Sequence, residues 1–209
     1  MSKTKSVKKY HHYVDQLNQL VPGGAHTYSK GADQFSANAP KAIVKGRGCT
    51  IWDIEDNPYT DFAMSLGSVL LGHAHAPVLE AVQKELLKGS NFCRPSIIEG
   101  QLAEKICEII PSAEMVKFGK HGSDVVTAAV KLSRAYTGRK YVARCSADPF
   151  NAVHDWFISS TEMNAGIPEE VSKLTLKFKY NDLIGCQQLV DEHPDQIACF
   201  ILEPLSFVE

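Results

Sequence analysis

The sequence predicts an α/β domain on a mostly parallel sheet with flanking helices, preceded by a small N-terminal lobe. Three observations carry this expectation. At 209 residues the chain is long enough to bury a core and to extend beyond one average domain. From residue 77 onward, segments with apolar residues at helical spacing alternate with short apolar strands, the pattern of repeated strand-helix-strand units. Ahead of them the text is turn-rich, with Pro22, Gly23, Gly24, Gly31, Pro40, Gly46 and Gly48 as punctuation. The expected organisation is a leader and small lobe over residues 1–62 and a large α/β domain over 63–209, with a boundary near Ala63.

Short strands are expected in the lobe at 42–45, 50–53 and 59–62, the last two separated by the turn Glu55-Asp56-Asn57-Pro58. A helix over 77–87 places Val78, Ala81, Val82 and Leu86 on one face, with Pro77 suited to its first turn and Gly89 to its end. Residues 97–110 repeat the pattern through Ile98, Leu102, Ile106 and Ile109 until Pro111 stops it. A strand at 115–118 follows, then a helix from about Ser123 to Tyr136 closed by Gly138, and a strand at 141–145. After a looser stretch holding Trp156 and Phe157 come a strand at 174–178, a helix at 182–192 and an apolar strand at 197–202. No internal repeat or low-complexity tract interrupts this order.

Composition narrows the function. With 22 basic and 24 acidic side chains there is no whole-chain basic field to draw the protein onto nucleic acid or an anionic membrane. No apolar run approaches the ~20 residues of a bilayer span, and the first residues lack the apolar core of a signal peptide. The expected compartment is therefore the cytoplasm. The six cysteines lack a CxxC pair or regular spacing, which fits free thiols better than a disulfide frame or a zinc site.

Two stretches carry potential chemistry. Residues 118–124, Phe-Gly-Lys-His-Gly-Ser-Asp, join an expected strand to an expected helix. Amides at a helix start are unpaired and carry the positive end of the dipole, so Gly122 can admit a phosphate and Ser123 can donate its hydroxyl. The competing reading is that Ser123 or Asp124 only caps the helix. Neither GxGxxG nor GxxxxGK[ST] is present. His73 and His75, at i and i+2, share a face in an extended segment and are either a metal pair or a hydrogen-bonding latch; no third ligand stands nearby and no metal is expected.

Four stretches in consistent order give the sequence a resemblance. They are Val21-Pro22-Gly23-Gly24, Gly72-His73-Ala74-His75, Gly122-Ser123-Asp124 ahead of the helix that ends at Gly138-Arg139, and Ile201-Leu202-Glu203-Pro204. Together they resemble the class III aminotransferases, which use pyridoxal 5′-phosphate, and among them most the glutamate-1-semialdehyde aminomutase group. The resemblance implies the fold-type-I architecture of pyridoxal-phosphate-dependent transferases, transfer of an amino group between a small amine and a carbonyl compound, and a homodimer when full length.

By position, the family's phosphate-holding Ser-Gly-Thr-Glu-Ala corresponds to His121-Gly122-Ser123-Asp124-Val125, which favours the anion cradle over the simple cap. The ring-stacking aromatic of its Tyr-His-Gly stretch corresponds to Phe150, followed by Asn151 and Ala152. That departure removes a hydroxyl and an imidazole, though Phe150 can still stack as an apolar plate. Glu203 matches a carboxylate near the cofactor pocket. Lys30 stands where the aminomutases bring an arginine to the substrate carboxylate; it keeps the charge without the two-pronged donor set, which favours an aminotransferase over a strict aminomutase. The aspartate that pairs with the pyridine nitrogen and the lysine that forms the Schiff base lie beyond Glu209 in the family. The expectation is thus an N-terminal half, with no catalytic residue within it, inactive alone and with apolar faces such as Phe200 and Leu202 short of cover. The rival expectation is a non-catalytic, degenerate relative.

Overall fold

The computed structural model describes residues 3–36, 38–148 and 150–205. Met1 and Ser2 of the leader, Ala37, Pro149 and the segment 206–209 after the Glu-Pro motif lie outside the described residues. Two compact units divide the chain, residues 1–95 and 96–209.

The first unit opens with helix α1 (Lys3–Leu20), in the stretch expected only as a leader. Val7, Tyr10, Val14 and Leu17 recur at three- and four-residue spacing with no Gly or Pro between them, Val14 and Leu17 are half-buried, and Pro22 follows the helix end. After three single 3₁₀ turns, strands β1 (Ile43–Arg47), β2 (Thr50–Asp53) and β3 (Pro58–Thr60) form an antiparallel sheet in the order β1-β2-β3. Asp53 closes the β2–β3 turn. Its carboxylate accepts from the backbone N–H groups of Glu55 and Asn57, the Asn57 amide and the Tyr59 hydroxyl.

The unit continues past the boundary expected near Ala63 because two ties draw the following segment back onto the strands. His73 and Gly48 exchange both backbone hydrogen bonds at 2.8 Å. The His73 imidazole also meets Asp61, with Nε2 2.7 Å from Oδ2. His73 is thus a latch, and His75 serves as the residue preceding helix α2 (Ala76–Leu86).

In the second unit, helix α3 (Ile97–Ile109) starts with a capping box in which Ser96 and Glu99 satisfy each other's backbone groups. Helix α4 (Gly122–Thr137) ends where Gly138 takes a left-handed φ of 68° and returns its N–H to Arg134. Strand β4 (Tyr141–Cys145) follows, then the short helices α5 (Asp155–Ile158) and α6 (Glu169–Ser172), strand β5 (Thr175–Phe178), helix α7 (Leu183–Glu192) and strand β6 (Ile197–Ile201). The looser stretch around Trp156 and Phe157 therefore holds two helical turns.

The three strands are parallel in the order β5-β4-β6, so both crossovers leave β4 at the centre. Alternation along β4 divides the core in two. Val142 faces Val130, Ala152, Trp156 and Phe157, with Val126 of α4 beside them. Ala143 and Cys145 face Phe178 and Ile197, backed by Cys186 and Leu189 of α7. The strand expected at 115–118 is absent: the segment pairs with no ladder among the described residues, and Met115 and Phe118 are exposed. A strand exists only through its partners, so apolar β-formers alone did not make one. Phe200 and Leu202 are likewise exposed.

Candidate functional site

The carboxyl ends of β4 and β6 and the start of α4 carry most of the residues singled out by sequence. In an open parallel sheet this end is where ligands sit.

Helix α4 begins bare. His121, at the capping position, makes no side-chain cap bond, although its carbonyl accepts from the N–H groups of Asp124 and Val125. The first N–H groups of a helix have no partner within it, which leaves Gly122 and Ser123 facing outward with the positive dipole end. A Cβ at Gly122 would meet nothing within 4 Å, so the space beside it is open. At Gly119 the reverse holds: a Cβ would strike the Val125 side chain, and the absence of one lets the entering loop lie against α4.

Ser123 is held on one side only. Its Oγ accepts the backbone N–H of Val153 at 2.6 Å, and the hydroxyl proton remains available to an acceptor. One turn on, the buried Thr127 hydroxyl accepts from Trp156 Nε1 at 2.9 Å and also meets His154 Nδ1 at 2.9 Å. The segment 150–154 is thereby fastened along one face of α4. At its near end Phe150 is 63% exposed and rests edge-on against Phe157, with centroids 5.8 Å apart and planes at 83°.

A buried charge lies against Phe157. The Arg144 guanidinium sits 4.5 Å over the Phe157 ring, while Nε donates to Ser160 Oγ at 2.6 Å and Nη1 to the Cys145 carbonyl at 3.0 Å. Burial pulls the Arg144 pKa down and the nearby Asp148 carboxylate pushes it back up. Asp148 is only 8% exposed. Its Oδ2 accepts the Glu203 backbone N–H at 3.2 Å and its Oδ1 is buried without a partner. The Glu203-Pro204 motif is gripped again at Pro204, whose carbonyl accepts from the Tyr180 hydroxyl at 2.7 Å.

The second unit thus brings Gly122 and Ser123 against the segment that bears Phe150, and ties Glu203 to the end of β4 through Asp148. Lys30 belongs to the first unit, exposed at the end of the 3₁₀ turn Tyr28–Lys30. Among the described residues no cluster of three or more His, Cys, Asp or Glu is placed to hold a metal ion. No helix among them is long and apolar enough to cross a membrane.

Sequence reasoning passed over Arg144, Asp148, Thr127 and His154. Two signals were present: a charge inside the apolar strand Tyr-Val-Ala-Arg-Cys, and a hydroxyl residue four positions after Ser123 on the same helical face.

A parallel sheet with α4 across one face and a bare helix start at the strand ends is the architecture of fold-type-I pyridoxal-phosphate-dependent transferases. An omega-transaminase from Sphaerobacter thermophilus superposes with a TM-score of 0.85 at 27% identity, over 93% of this chain and 47% of its own. A structure described as a transaminase with PLP bound shares the fold at a TM-score of 0.86 and 24% identity, over 96% of this chain and 48% of its own. The family model for aminotransferase class-III matches residues 32–206. The chain belongs to the class-III aminotransferases. Curated relatives include the glutamate-1-semialdehyde 2,1-aminomutase of Aquifex aeolicus, 36% identical over 196 residues, which are 90% of this chain and 46% of that protein. A namesake enzyme of Thermus thermophilus is 32% identical over 92% of this chain and 47% of its own. The chain spans just under half the length of these relatives.

Proposed function

We propose that this chain supplies the phosphate end and one ring face of a pyridoxal 5′-phosphate site, in an enzyme that moves an amino group between a small amine or amino acid and a carbonyl compound. The observation that carries the reading is the start of α4: uncapped, open beside Gly122, and provided at Ser123 with a hydroxyl that Val153 anchors from behind. That donor set fits a phosphate. The cofactor, when bound, supplies an electron sink for the bonds at the amino-bearing carbon.

The residues of the chain have separate tasks in this reading. The N–H groups of Gly122 and Ser123 and the Ser123 hydroxyl donate to the phosphate oxygens. Phe150 covers one face of the ring and keeps water off it, held at its edge by Phe157. Glu203 lines the pocket, with its backbone fixed by Asp148. Lys30 meets the substrate carboxylate as a point charge, which favours an aminotransferase over a strict aminomutase. The complete assembly is a cytoplasmic homodimer, and residues 1–209 alone do not turn over. A second reading, a degenerate relative without catalysis, draws on Phe150-Asn151-Ala152 standing where Tyr-His-Gly is expected.

Equilibrium titration of the chain with pyridoxal 5′-phosphate and with pyridoxal tests the reading. The phosphate ester should bind at least about tenfold more tightly, the least that one charge-assisted hydrogen bond contributes. Equal affinities would remove the phosphate cradle. Borohydride reduction followed by mass spectrometry should show no stoichiometric pyridoxyl-lysine; such an adduct at one lysine together with turnover would show that the chain is catalytic by itself.

A further inference from the structure

We propose that His154 is a positioning residue for the phosphate cradle: by holding segment 150–154 along α4 it fixes the direction in which Ser123 donates. The inference rests on the cofactor reading above and goes beyond it in assigning a task to a residue outside the cradle.

Trp156 fixes one of the two bonds at Thr127, and the His154 tautomer sets the other. Trp156 Nε1 can only donate, so the Thr127 oxygen accepts from it. In the Nε2–H tautomer, whose ring proton lies on the nitrogen 3.9 Å from Asp124 Oδ1, the Thr127 proton goes to His154 Nδ1 and each group has a partner. Thr127 is buried and belongs to the helix interior, so this bond ties the end of the segment to a rigid element. Val153, the neighbour of His154, is exposed and has its N–H on Ser123.

The two bonds act as one device because Ser123 and Thr127 are one helical turn apart and the segment runs beside them. With Val153 in place, one Ser123 lone pair is engaged on the segment side, and the hydroxyl proton is directed to the open side by Gly122. Without the His154 side chain the segment keeps Ala152 in the core and Trp156 on Thr127, but the exposed Val153 between them loses its nearest restraint and the Ser123 hydroxyl its preferred orientation. Phe150 keeps its own seat on Phe157, so the loss falls on the phosphate rather than on the ring.

The test uses the 209-residue chain and two side-chain replacements. His154→Leu keeps volume and removes the acceptor; His154→Asn places an amide oxygen close to the position of Nδ1. Amide hydrogen exchange at Val153 and titration with pyridoxal 5′-phosphate and pyridoxal are measured on each. Exchange at Val153 should quicken about tenfold or more in His154→Leu, with a similar loss of affinity for the phosphate ester and little change for pyridoxal. His154→Asn should restore both. Unchanged exchange and affinity in His154→Leu would overturn the proposal, and so would equal losses in both variants, which would mark His154 as a packing residue. A wild-type chain that does not distinguish the two ligands overturns the cofactor reading and the positioning role with it, whereas Val153 exchange then still decides whether the latch exists.

Discussion

Asp61 and His73 meet at 2.7 Å in the first unit, joining the segment after β3 to the turn before α2. The His73 hydrogen bond holds the Asp61 carboxyl below the usual carboxylate range, against the opposing effect of burial and with help from the Met64 N–H. Asp53 is also lowered: burial pushes it up, but the hydrogen bonds from Asn57, Tyr59 and Glu55 together outweigh that.

A carboxyl whose folded pKa is depressed adds stability above its unfolded pKa and loses it as pH falls through the folded value. The first unit should therefore hold its stability near neutral pH and lose it as pH drops from about 5 toward 2. Urea unfolding followed through Trp52 emission, in a Trp156→Phe background, measures this. Asp61→Asn should be less stable at neutral pH and show a flatter acid limb; an unchanged acid limb would mean that the pair adds nothing.

Ser123→Ala removes both the hydroxyl donor and the acceptor of the Val153 N–H. Affinity for pyridoxal 5′-phosphate should fall by the ~1.5–3 kcal/mol of a charge-assisted bond, while pyridoxal binds as before. A titration in which the phosphate ester is unaffected would return Ser123 to a purely structural place at the helix start.

Phe157→Ala should destabilise the second unit by about 3–5 kcal/mol, the usual cost of deleting a buried aromatic ring. The ring packs in the core, carries Phe150 on its edge and lies under the Arg144 guanidinium. Denaturant midpoints followed by Trp156 emission check it. A loss under about 1 kcal/mol would mean that the neighbouring side chains collapse into the space.

Thiol reactivity should separate the cysteines by position. Cys49 and Cys93 are exposed, whereas Cys145 is buried and Cys186 has its thiol pKa raised by burial and then by the Asp182 and Cys145 charges. A disulfide reagent near neutral pH should modify Cys49 and Cys93 first, half-buried Cys186 more slowly, and Cys145 only on unfolding. Rapid labelling of Cys145 in the native chain would contradict its place on β4.

Most elements were legible because their periodicity and their stops agree. Residues 97–110 show an apolar face and a proline, and α3 occupies 97–109; residues 141–145 form β4 as expected. The 115–118 segment misled because β-propensity describes a surface that a partner must still complete. Helix α1 was missed although Val7, Tyr10, Val14 and Leu17 stand at helical spacing, because the lysines and histidines between them give the segment the look of a polar leader. The Gly122-Ser123 end of the site was readable from its place before a helix. Its supports were not: Asp148 meets Glu203 and His154 meets Thr127 across 55 and 27 residues, distances over which sequence spacing carries no information.

The alternation along β4 also makes Arg144 a register pin. In the observed pairing its side chain lies with Phe157 and Ser160, where ring and hydroxyl receive the charge. Sliding β4 by one residue between its two parallel neighbours would turn every side chain to the other face and drive the guanidinium among Phe178, Ile197 and Leu189. There it would lose the Phe157 ring, the Ser160 hydroxyl and the Cys145 carbonyl that receive it now, and a buried charge without its partners is costly. A strand of small apolar residues would slip readily; this one is held in its correct pairing by the one residue that is least at home in a core.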